Sequence, residues 1–182
     1  MRYWLDTEFI ESGSYQPIDL LSIGIVAEDG REFYAENTDA DLSKANDWVR
    51  ANVLPQLVHF GHGKHVSWDD FPSCPRNSRA GIRIAVYEFC DPQRHGKPEF
   101  WGYYADYDWV VLCQLFGTMV DLPKGWPMYC RDLKQWADEL GNPALPEQAK
   151  GEHHALADAK WNRQAWEFLA QYSKAYAQGF VP

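Results

Sequence analysis

The chain has 182 residues, of which 46% are hydrophobic and 15% aromatic, and its 26 acidic and 17 basic residues give a formal net charge of −9. This composition excludes a disordered chain and fits one domain with a sizeable core. A protein that follows many phosphates of a long duplex is usually basic. The acidic balance therefore argues against diffuse attraction to nucleic acid, although bound cations can offset a cluster of carboxylates.

The sequence shows no sign of export or of membrane insertion. No apolar run approaches the roughly 20 residues that span a bilayer. The start, MRYWLDTEF, lacks the charged and then apolar segments of a signal peptide. We therefore expect a cytoplasmic protein. Its cysteines form no CxxC pair and are expected to be free thiols in a reducing compartment. They are Cys74, Cys90, Cys113 and Cys130.

The first part of the sequence predicts three strands and a helix. Alternating apolar residues predict a strand over 2–9, and an apolar run predicts a second over 18–26. The turn signal Asp29-Gly30 joins it to a third strand over 31–36. A helix is predicted over 39–53, before Pro55.

The rest of the sequence predicts alternating helices and strands. After the irregular residues 55–77, Ser78 can cap a helix that runs to about Cys90. Its buried face is expected to contain Ile82, Ile84, Ala85, Val86 and Phe89. Strands are predicted over 99–107 and 126–130, and helices over 109–116, 133–140 and 154–175. This order predicts an α/β fold in which helices flank a mixed sheet, with catalytic groups at strand ends and helix starts.

Two acids, Asp6 and Glu8, lie two residues apart on the first predicted strand. Strand side chains alternate, so both carboxylates face the same side. Unpaired neighbouring carboxylates repel each other and raise each other's pKa. A hard cation such as Mg²⁺, which binds carboxylate and phosphate oxygens, would compensate them. The alternative is a solvent-facing pair on an edge strand.

Two further acids, Asp106 and Asp108, lie where the strand predicted over 99–107 gives way to a helix. Asp108 is placed to cap or begin that helix, beside its positive end. A capping role alone is the alternative explanation. Asp106 is a second candidate for a metal ligand.

The third acidic block is the sequence HHALADAK, in which Asp158 is expected in the early turns of the last helix. A histidine with a pKa near ~6.5 can take a proton from an attacking water. His154 shares a helix face with Asp158, because the two are four residues apart. His153 would reach Asp158 only from the loop before the helix. Helix geometry alone therefore favours His154.

Together the three blocks resemble the DEDDh branch of the DnaQ-like exonucleases, which includes oligoribonuclease, ribonuclease T and polymerase proofreading subunits. The resemblance is carried by Asp6-Thr7-Glu8, by Tyr107-Asp108, and by His153 with Asp158 in an HxxxxD spacing. The segments DTEFIE and YDWVVLCQLFG also look like small bacterial stand-alone 3'-5' exoribonucleases. The resemblance covers residues 2 to about 165 and does not account for residues 55–77.

This resemblance implies a ribonuclease H-like fold, a mixed sheet flanked by helices, in a single exonuclease domain over residues 1–182. It implies hydrolysis of single-stranded RNA from the 3' end to nucleoside 5'-monophosphates. Asp6, Glu8, Asp108 and Asp158 would hold two Mg²⁺ or Mn²⁺ ions, and His153 rather than His154 would be the general base. Since similar small enzymes are often homodimers, a homodimer is expected, and its interface can use aromatic residues.

Four residues are candidates for contact with the RNA. Stacking on an aromatic ring is worth roughly 1–3 kcal/mol per base. Phe9, directly after the Asp6-Thr7-Glu8 motif, is the first candidate for the terminal base, and Trp109 is the second. A place in the core is the alternative for both rings. By the resemblance, backbone groups of Thr7 and Glu8 would contact the 3' ribose.

Other functions remain open at the level of sequence. His59, His62, His65 and Cys74 could form a zinc site, although their spacing matches no recognised one. A module that binds strand ends or a protein without turnover is a second alternative, and the presence of all four acids and the histidine argues against it. DNA is an alternative substrate, because no residue in the sequence indicates a contact with the 2'-hydroxyl that distinguishes RNA.

Overall fold

The computed structural model describes residues 1–13, 17–57, 76–148 and 153–178, and its strands form one six-stranded sheet in the order β4-β3-β2-β1-β5-β6. The strands are β1 (Arg2–Ile10), β2 (Asp19–Ala27), β3 (Glu32–Asn37), β4 (Arg76–Asn77), β5 (Glu99–Gly102) and β6 (Arg131–Asp132). The pairs β1–β2 and β2–β3 are antiparallel, and the other three pairs are parallel. The sheet is therefore mixed, as the resemblance implies.

The helices pack on both faces of this sheet. They are α1 (Asp47–Asn52), α2 (Arg79–Phe89), α3 (Pro92–His95), α4 (Asp106–Phe116), α5 (Leu133–Glu139) and α6 (Ala155–Ala177). Because β1 side chains alternate, Tyr3 and Leu5 join a core with α2 and α4, whereas Trp4 packs with the start of α6 on the other face. This arrangement confirms the expected α/β, ribonuclease H-like architecture.

The helix predicted over 39–53 is instead three short segments. A 3₁₀ helix covers Leu42–Lys44, α1 follows, and a second 3₁₀ helix covers Leu54–Gln56. The break has a local cause: the Asn46 side chain accepts a hydrogen bond from the Val49 N–H and begins a new helix. The resulting curved segment packs against Ile10 and Leu21 at one side of the sheet.

Two strand predictions are also wrong in their bounds. The strand predicted over 99–107 ends at Gly102, because Tyr104 takes a left-handed backbone conformation with φ 54° and α4 begins at Asp106. No strand forms over 126–130, and β6 begins only at Arg131. By contrast, Ser78 caps α2 as predicted, although Ile84 on that helix is 54% exposed rather than buried.

Several expectations concern thiols, histidines and membranes. Cys90, Cys113 and Cys130 are free thiols. Cys74 and the histidine group His59, His62 and His65 lie outside the described residues. In the part of the chain that the structure covers, no helix has the length and apolarity needed to cross a bilayer.

Candidate active site

Three of the predicted ligands converge on one face of the sheet. Asp6 and Glu8 project from the same face of β1, and Asp158 lies in the first turn of α6, which packs on that face. One carboxylate oxygen from each lies within 4.8 Å of the others. Residues 150 positions apart in the sequence therefore share one small volume.

The start of α6 reaches this position because β2 offers no side chain there. Gly24 is the partner of Asp6 across the β1–β2 pair, and a Cβ built on Gly24 would lie 2.3 Å from backbone atoms of Ala155 and Leu156. In the second turn of α6, the buried Asn162 amide donates a hydrogen bond to the Leu5 carbonyl at 2.9 Å. These two contacts hold Asp158 against Asp6.

The electrostatics of the cluster are those of several neighbouring acids, of which Glu8 and Asp108 are buried. Burial is the largest cause that raises the pKa of Asp6 well above its usual value, and Asp108, Glu8 and Asp158 raise it further. Burial raises the pKa of Glu8 to about 8, with added repulsion from Asp158 and Asp108. The protein thus places negative groups where each disfavours the ionisation of the next.

Asp108 lies beside this cluster and is held by Thr7. The Thr7 N–H and hydroxyl donate to the Asp108 Oδ1 at 2.8 and 2.6 Å. Burial raises the pKa of Asp108 to about 6, and the hydrogen bonds from Thr7 oppose that rise. Asp108 is not the N-cap of α4, because Ala105 occupies that position. Asp106, the second candidate, is exposed at the start of α4.

The donor set fits hard divalent cations. Asp6, Glu8 and Asp158 offer carboxylate oxygens only, which are the ligands that Mg²⁺ and Mn²⁺ take. Burial is the first cause that raises the pKa of Asp6 and Glu8, and a bound cation would oppose the added repulsion from the neighbouring acids. The Asp108 charge is close enough to raise the pKa of both Asp6 and Glu8. Both hydrogen bonds from Thr7 are accepted by the same carboxylate oxygen of Asp108, its Oδ1.

His153 lines a cavity of about 340 Å³ beside the acids. Its N–H donates to the Asp158 Oδ2 at 3.0 Å, and its backbone is left-handed with φ 68°. Its ring meets the exposed Trp48 edge-on, with centroids 4.8 Å apart. The loop before α6 thus places His153 at the edge of the cavity, between Asp158 and Trp48.

Comparisons with known proteins place this chain in a family. A family model described as the 3'-5' exoribonuclease Rv2179c-like domain matches residues 1–170. The chain belongs to this family. Its membership confirms that the chain is an enzyme of the 3'-5' exoribonuclease class.

Two relatives from Mycobacterium tuberculosis have similar sequences. They are the 3'-5' exoribonuclease Rv2179c of strain H37Rv and the 3'-5' exoribonuclease MT2234.1 of strain CDC 1551. Each is 41% identical over 162 residues, which cover 88% of this chain and 88% of the relative. A chain in the structure of the yeast NOT1 MIF4G domain with CAF1 is 12% identical with a TM-score of 0.46, over 95% of this chain and 80% of its own length. That likeness carries no functional argument.

The side chain of His154 lies in a different environment from that of His153. Its ring stacks on Tyr34 with centroids 4.5 Å apart and planes 19° apart. Burial is the largest cause that lowers its pKa. The Tyr34 hydroxyl in turn donates to the buried Glu36 at 2.7 Å. His154 therefore packs on the sheet, although helix spacing alone favoured it as the base.

The expected substrate contacts have mixed outcomes. Phe9 is partly exposed and stacks on the exposed Tyr107, with centroids 5.7 Å apart and planes 13° apart. Trp109 is only 8% exposed and packs on Phe100 in the core, so we do not retain it as a base-stacking residue. Both donors of Thr7 are taken by Asp108, which leaves neither for a ribose.

Sequence reasoning missed several residues that line the cavity. Besides Asp6, His153 and Asp158, the wall contains Tyr103, Gln148, Trp161 and Asn162. The Gln148 side-chain amide donates to Asp158. Trp161 and Asn162 lie three and four residues after Asp158 in α6, a spacing that predicts a shared helix face. Tyr103 and Gln148 have no such signal, because only the tertiary fold brings them to the site.

Proposed function

We propose that this chain is a DEDDh-type, metal-dependent 3'-5' exoribonuclease that hydrolyses single-stranded RNA from its 3' end to nucleoside 5'-monophosphates. The observation that carries the proposal is the convergence of Asp6, Glu8 and Asp158 within 4.8 Å. Family membership supports the RNA substrate, because the family and both relatives are named as exoribonucleases. The carboxylate-only donor set supports Mg²⁺ or Mn²⁺ as the cofactor.

Each charged residue has a role in this proposal. Asp6, Glu8, Asp108 and Asp158 would hold two divalent ions. When bound, such ions stabilise the attacking and leaving oxygens of a phosphodiester. His153 takes the proton of the attacking water, and the hydrogen bond from its N–H to Asp158 keeps its loop beside the site.

The 3' terminal nucleotide would lie at the end of β1. Phe9 follows Glu8 and its ring is already parallel to that of Tyr107, so the two form a partly exposed aromatic surface. The terminal base would stack on this surface, and backbone groups of Glu8 would contact the 3' ribose.

Two further parts of the proposal depend on resemblance. A preference for RNA over DNA follows the names of the relatives. The proposal of a homodimer rests on similar small enzymes, which are often homodimers. Sedimentation measured over a range of protein concentrations checks the second, and a monomer at every concentration would contradict it.

The experiment that tests the function uses a 5'-labelled single-stranded RNA and its DNA counterpart, incubated with Mn²⁺ and resolved by length. We expect a ladder that shortens from the 3' end on RNA and the release of nucleoside 5'-monophosphates. Asp158→Asn and Asp108→Asn should lower the rate at least about 100-fold, because they remove ligands of the ions.

The matched control is Asp106→Asn, which changes an exposed acid two residues from Asp108 and should keep the normal rate. A folded Asp158→Asn variant with normal Mn²⁺-dependent activity would contradict the proposed metal site. Cleavage from the 5' end or within the strand would contradict the proposed direction. Binding of RNA without cleavage under all metal conditions would favour the non-catalytic module instead.

A further inference from the structure

A second group of aromatic rings extends from the acids to the protein surface. Tyr103 lines the same cavity as Asp6 and Asp158. Its ring is perpendicular to that of Trp161 at 5.0 Å between centroids and meets Tyr104 edge-on at 4.7 Å. The Tyr104 side chain is 63% exposed. A continuous aromatic surface therefore leads out of the cavity.

The turn that presents Tyr104 carries backbone strain. Tyr104 has φ 54°, a conformation that is unfavourable for a bulky side chain and is concentrated at functional sites. The Ala105 N–H donates to the Asp132 Oδ2 at 2.7 Å and holds the turn in place. At Gly102 a Cβ would lie 2.8 Å from the Ala105 Cβ, so the turn needs glycine there. The fold thus maintains a strained turn that exposes a large ring.

A basic residue lies beside the two tyrosines. Asp132, which holds the turn, also caps α5 by accepting a hydrogen bond from the Gln135 N–H at 2.9 Å. The second residue of α5 is Lys134, which pairs with Asp138. Burial and Tyr104 raise the pKa of Tyr103, and the Lys134 charge opposes that rise. A cation, which is paired with Asp138, and two rings thus lie near the acids.

The position of this surface relative to the acids indicates which nucleotide it would meet. β5 runs parallel to β1 with Trp4 opposite Trp101, so Tyr103 follows β5 at about the level of Asp6. Phe9 lies three residues beyond Asp6, at the other end of the carboxylate cluster. Along β1, Glu8 therefore lies between the level of Tyr103 and that of Phe9, and Phe9 packs with the core of α2 and α4 whereas Tyr103 packs with α5 and α6.

We propose that Tyr103, Tyr104 and Lys134 form a subsite for the nucleotide on the 5' side of the scissile phosphate, with its base on Tyr104 and a phosphate near Lys134. This inference rests on the proposed function, because it assumes that a 3' end is bound at the acids. The nucleotide held there becomes the new 3' terminus after each cut. The shortest good substrate is then a dinucleotide whose penultimate base can stack.

The test compares two single-stranded RNAs that differ only at the penultimate position, one with a base and one abasic. With Mn²⁺, the unmodified protein should have a kcat/KM about 5- to 150-fold higher on the RNA with the base, the range expected for one stacked base. Tyr104→Ala should reduce this ratio to near one and leave the abasic RNA almost unaffected. Tyr176→Ala, which removes an exposed tyrosine near the end of α6, should keep the full ratio.

Two further variants separate stacking from folding. Like Tyr104→Ala, Tyr104→Gly should reduce the ratio of the two kcat/KM values to near one. It should also raise the melting temperature, because glycine adopts the left-handed backbone conformation without strain. Lys134→Ala should raise KM for both RNAs with kcat unchanged, since a phosphate contact does not depend on the base.

Two outcomes would overturn the subsite. The first is a Tyr104→Ala variant that retains the normal ratio, whether or not it slows both RNAs equally. The second is an unmodified protein that cuts both RNAs at the same rate. By contrast, an unmodified protein that cuts neither RNA with Mn²⁺ would refute the proposed function itself, so the two failures are distinguishable.

Discussion

Glu8 shows, at the scale of one residue, the electrostatic conflict that the proposed metal site would resolve. Its carboxyl is buried, and burial together with Asp158 and Asp108 raises its pKa to about 8. A folded protein with such a group carries a proton there at neutral pH or keeps an uncompensated charge. A divalent cation removes the conflict, because it binds the deprotonated form.

The raised pKa of Glu8 predicts how pH and metal affect stability. Its folded pKa of about 8 lies above the usual 4.5. The folded state therefore binds the proton more tightly, and the contribution of this group to stability falls as pH rises from 4.5 to 8. The melting temperature of chelator-treated protein should fall over this range. Added Mn²⁺ should raise it more at pH 8 than at pH 6.

The control for this experiment is Glu8→Gln, which keeps the size of the side chain and removes its titration. This variant should show a weaker fall of the melting temperature with pH and a smaller gain from Mn²⁺. If metal-free wild type becomes more stable between pH 5 and pH 8, or if Mn²⁺ has the same effect at both pH values, the cation site is contradicted.

The two adjacent histidines should respond in opposite ways to truncation. His153→Ala should lower kcat about 100- to 10,000-fold, the range for loss of a general base, with little change in melting temperature. His154→Ala should lower the melting temperature, because it removes the stack on Tyr34, and should lower kcat far less. Circular dichroism and single-turnover cleavage measure the two effects. A larger loss of kcat in His154→Ala than in His153→Ala would reverse the assignment.

At the scale of elements, the site depends on how closely α6 approaches the sheet. The helix begins directly over Gly24, and Asn162 ties its second turn to the Leu5 carbonyl. Asp158 lies between these two contacts in the sequence. The distance between α6 and β2 therefore sets the distance between Asp158 and the acids of β1.

Gly24→Ala should consequently damage both stability and turnover. The added Cβ would meet the backbone of Ala155 at 2.3 Å, so α6 must move away. We expect a loss of about 1–3 kcal/mol in the free energy of unfolding. We also expect about 100-fold slower cleavage, because small displacements of catalytic groups have effects of that size. Urea denaturation and cleavage kinetics measure these quantities.

The matched control for Gly24→Ala is Ser22→Ala on the same strand. Ser22 is fully buried and opposite Glu8, but its change removes an oxygen and adds no atom. We expect nearly normal turnover for this variant. Normal turnover in Gly24→Ala as well would show that the approach of α6 does not control the position of Asp158.

The elements that sequence predicted well are those with strong local signals. Alternation over β1, the Asp29-Gly30 turn and the Ser78 cap of α2 are properties of a few neighbouring residues, and the structure confirms all three. The helix over 39–53 failed because the Asn46 cap competed with a continuous apolar pattern. Two local signals conflicted in this segment, and the apolar pattern alone therefore predicted the wrong helix bounds.

The site was predictable only in part, because local sequence signals do not indicate the long-range contacts that hold its residues. The acids stand in recognisable short motifs, so their convergence was expected. The hydrogen bonds from Thr7 to Asp108 join residues 101 positions apart, and no local pattern indicates them. The left-handed turn at Tyr104 depends on Asp132, which lies in another strand. Such contacts follow from the completed fold and not from any single segment.

At the scale of the whole molecule, net charge limits how the protein can hold RNA. The chain carries a formal charge of −9, and several basic residues are paired with acids. Arg2, Lys160 and Arg163 pair with Glu28, Glu32 and Glu167, respectively. An acidic surface repels the distant part of a long strand. In the proposed function, binding would then depend on the terminal nucleotides and on the ions at the site.

This arrangement predicts a weak and length-independent effect of salt. Each phosphate neutralised on a single strand contributes a slope of about −0.7 to the logarithm of affinity against the logarithm of salt concentration. If only two or three phosphates are contacted, the slope of log kcat/KM should be no steeper than about −2. It should be the same for a six-nucleotide and a thirty-nucleotide RNA at saturating Mn²⁺. A steeper slope for the longer RNA would instead reveal a basic track along which the strand is held, and the terminal-nucleotide model would then be wrong.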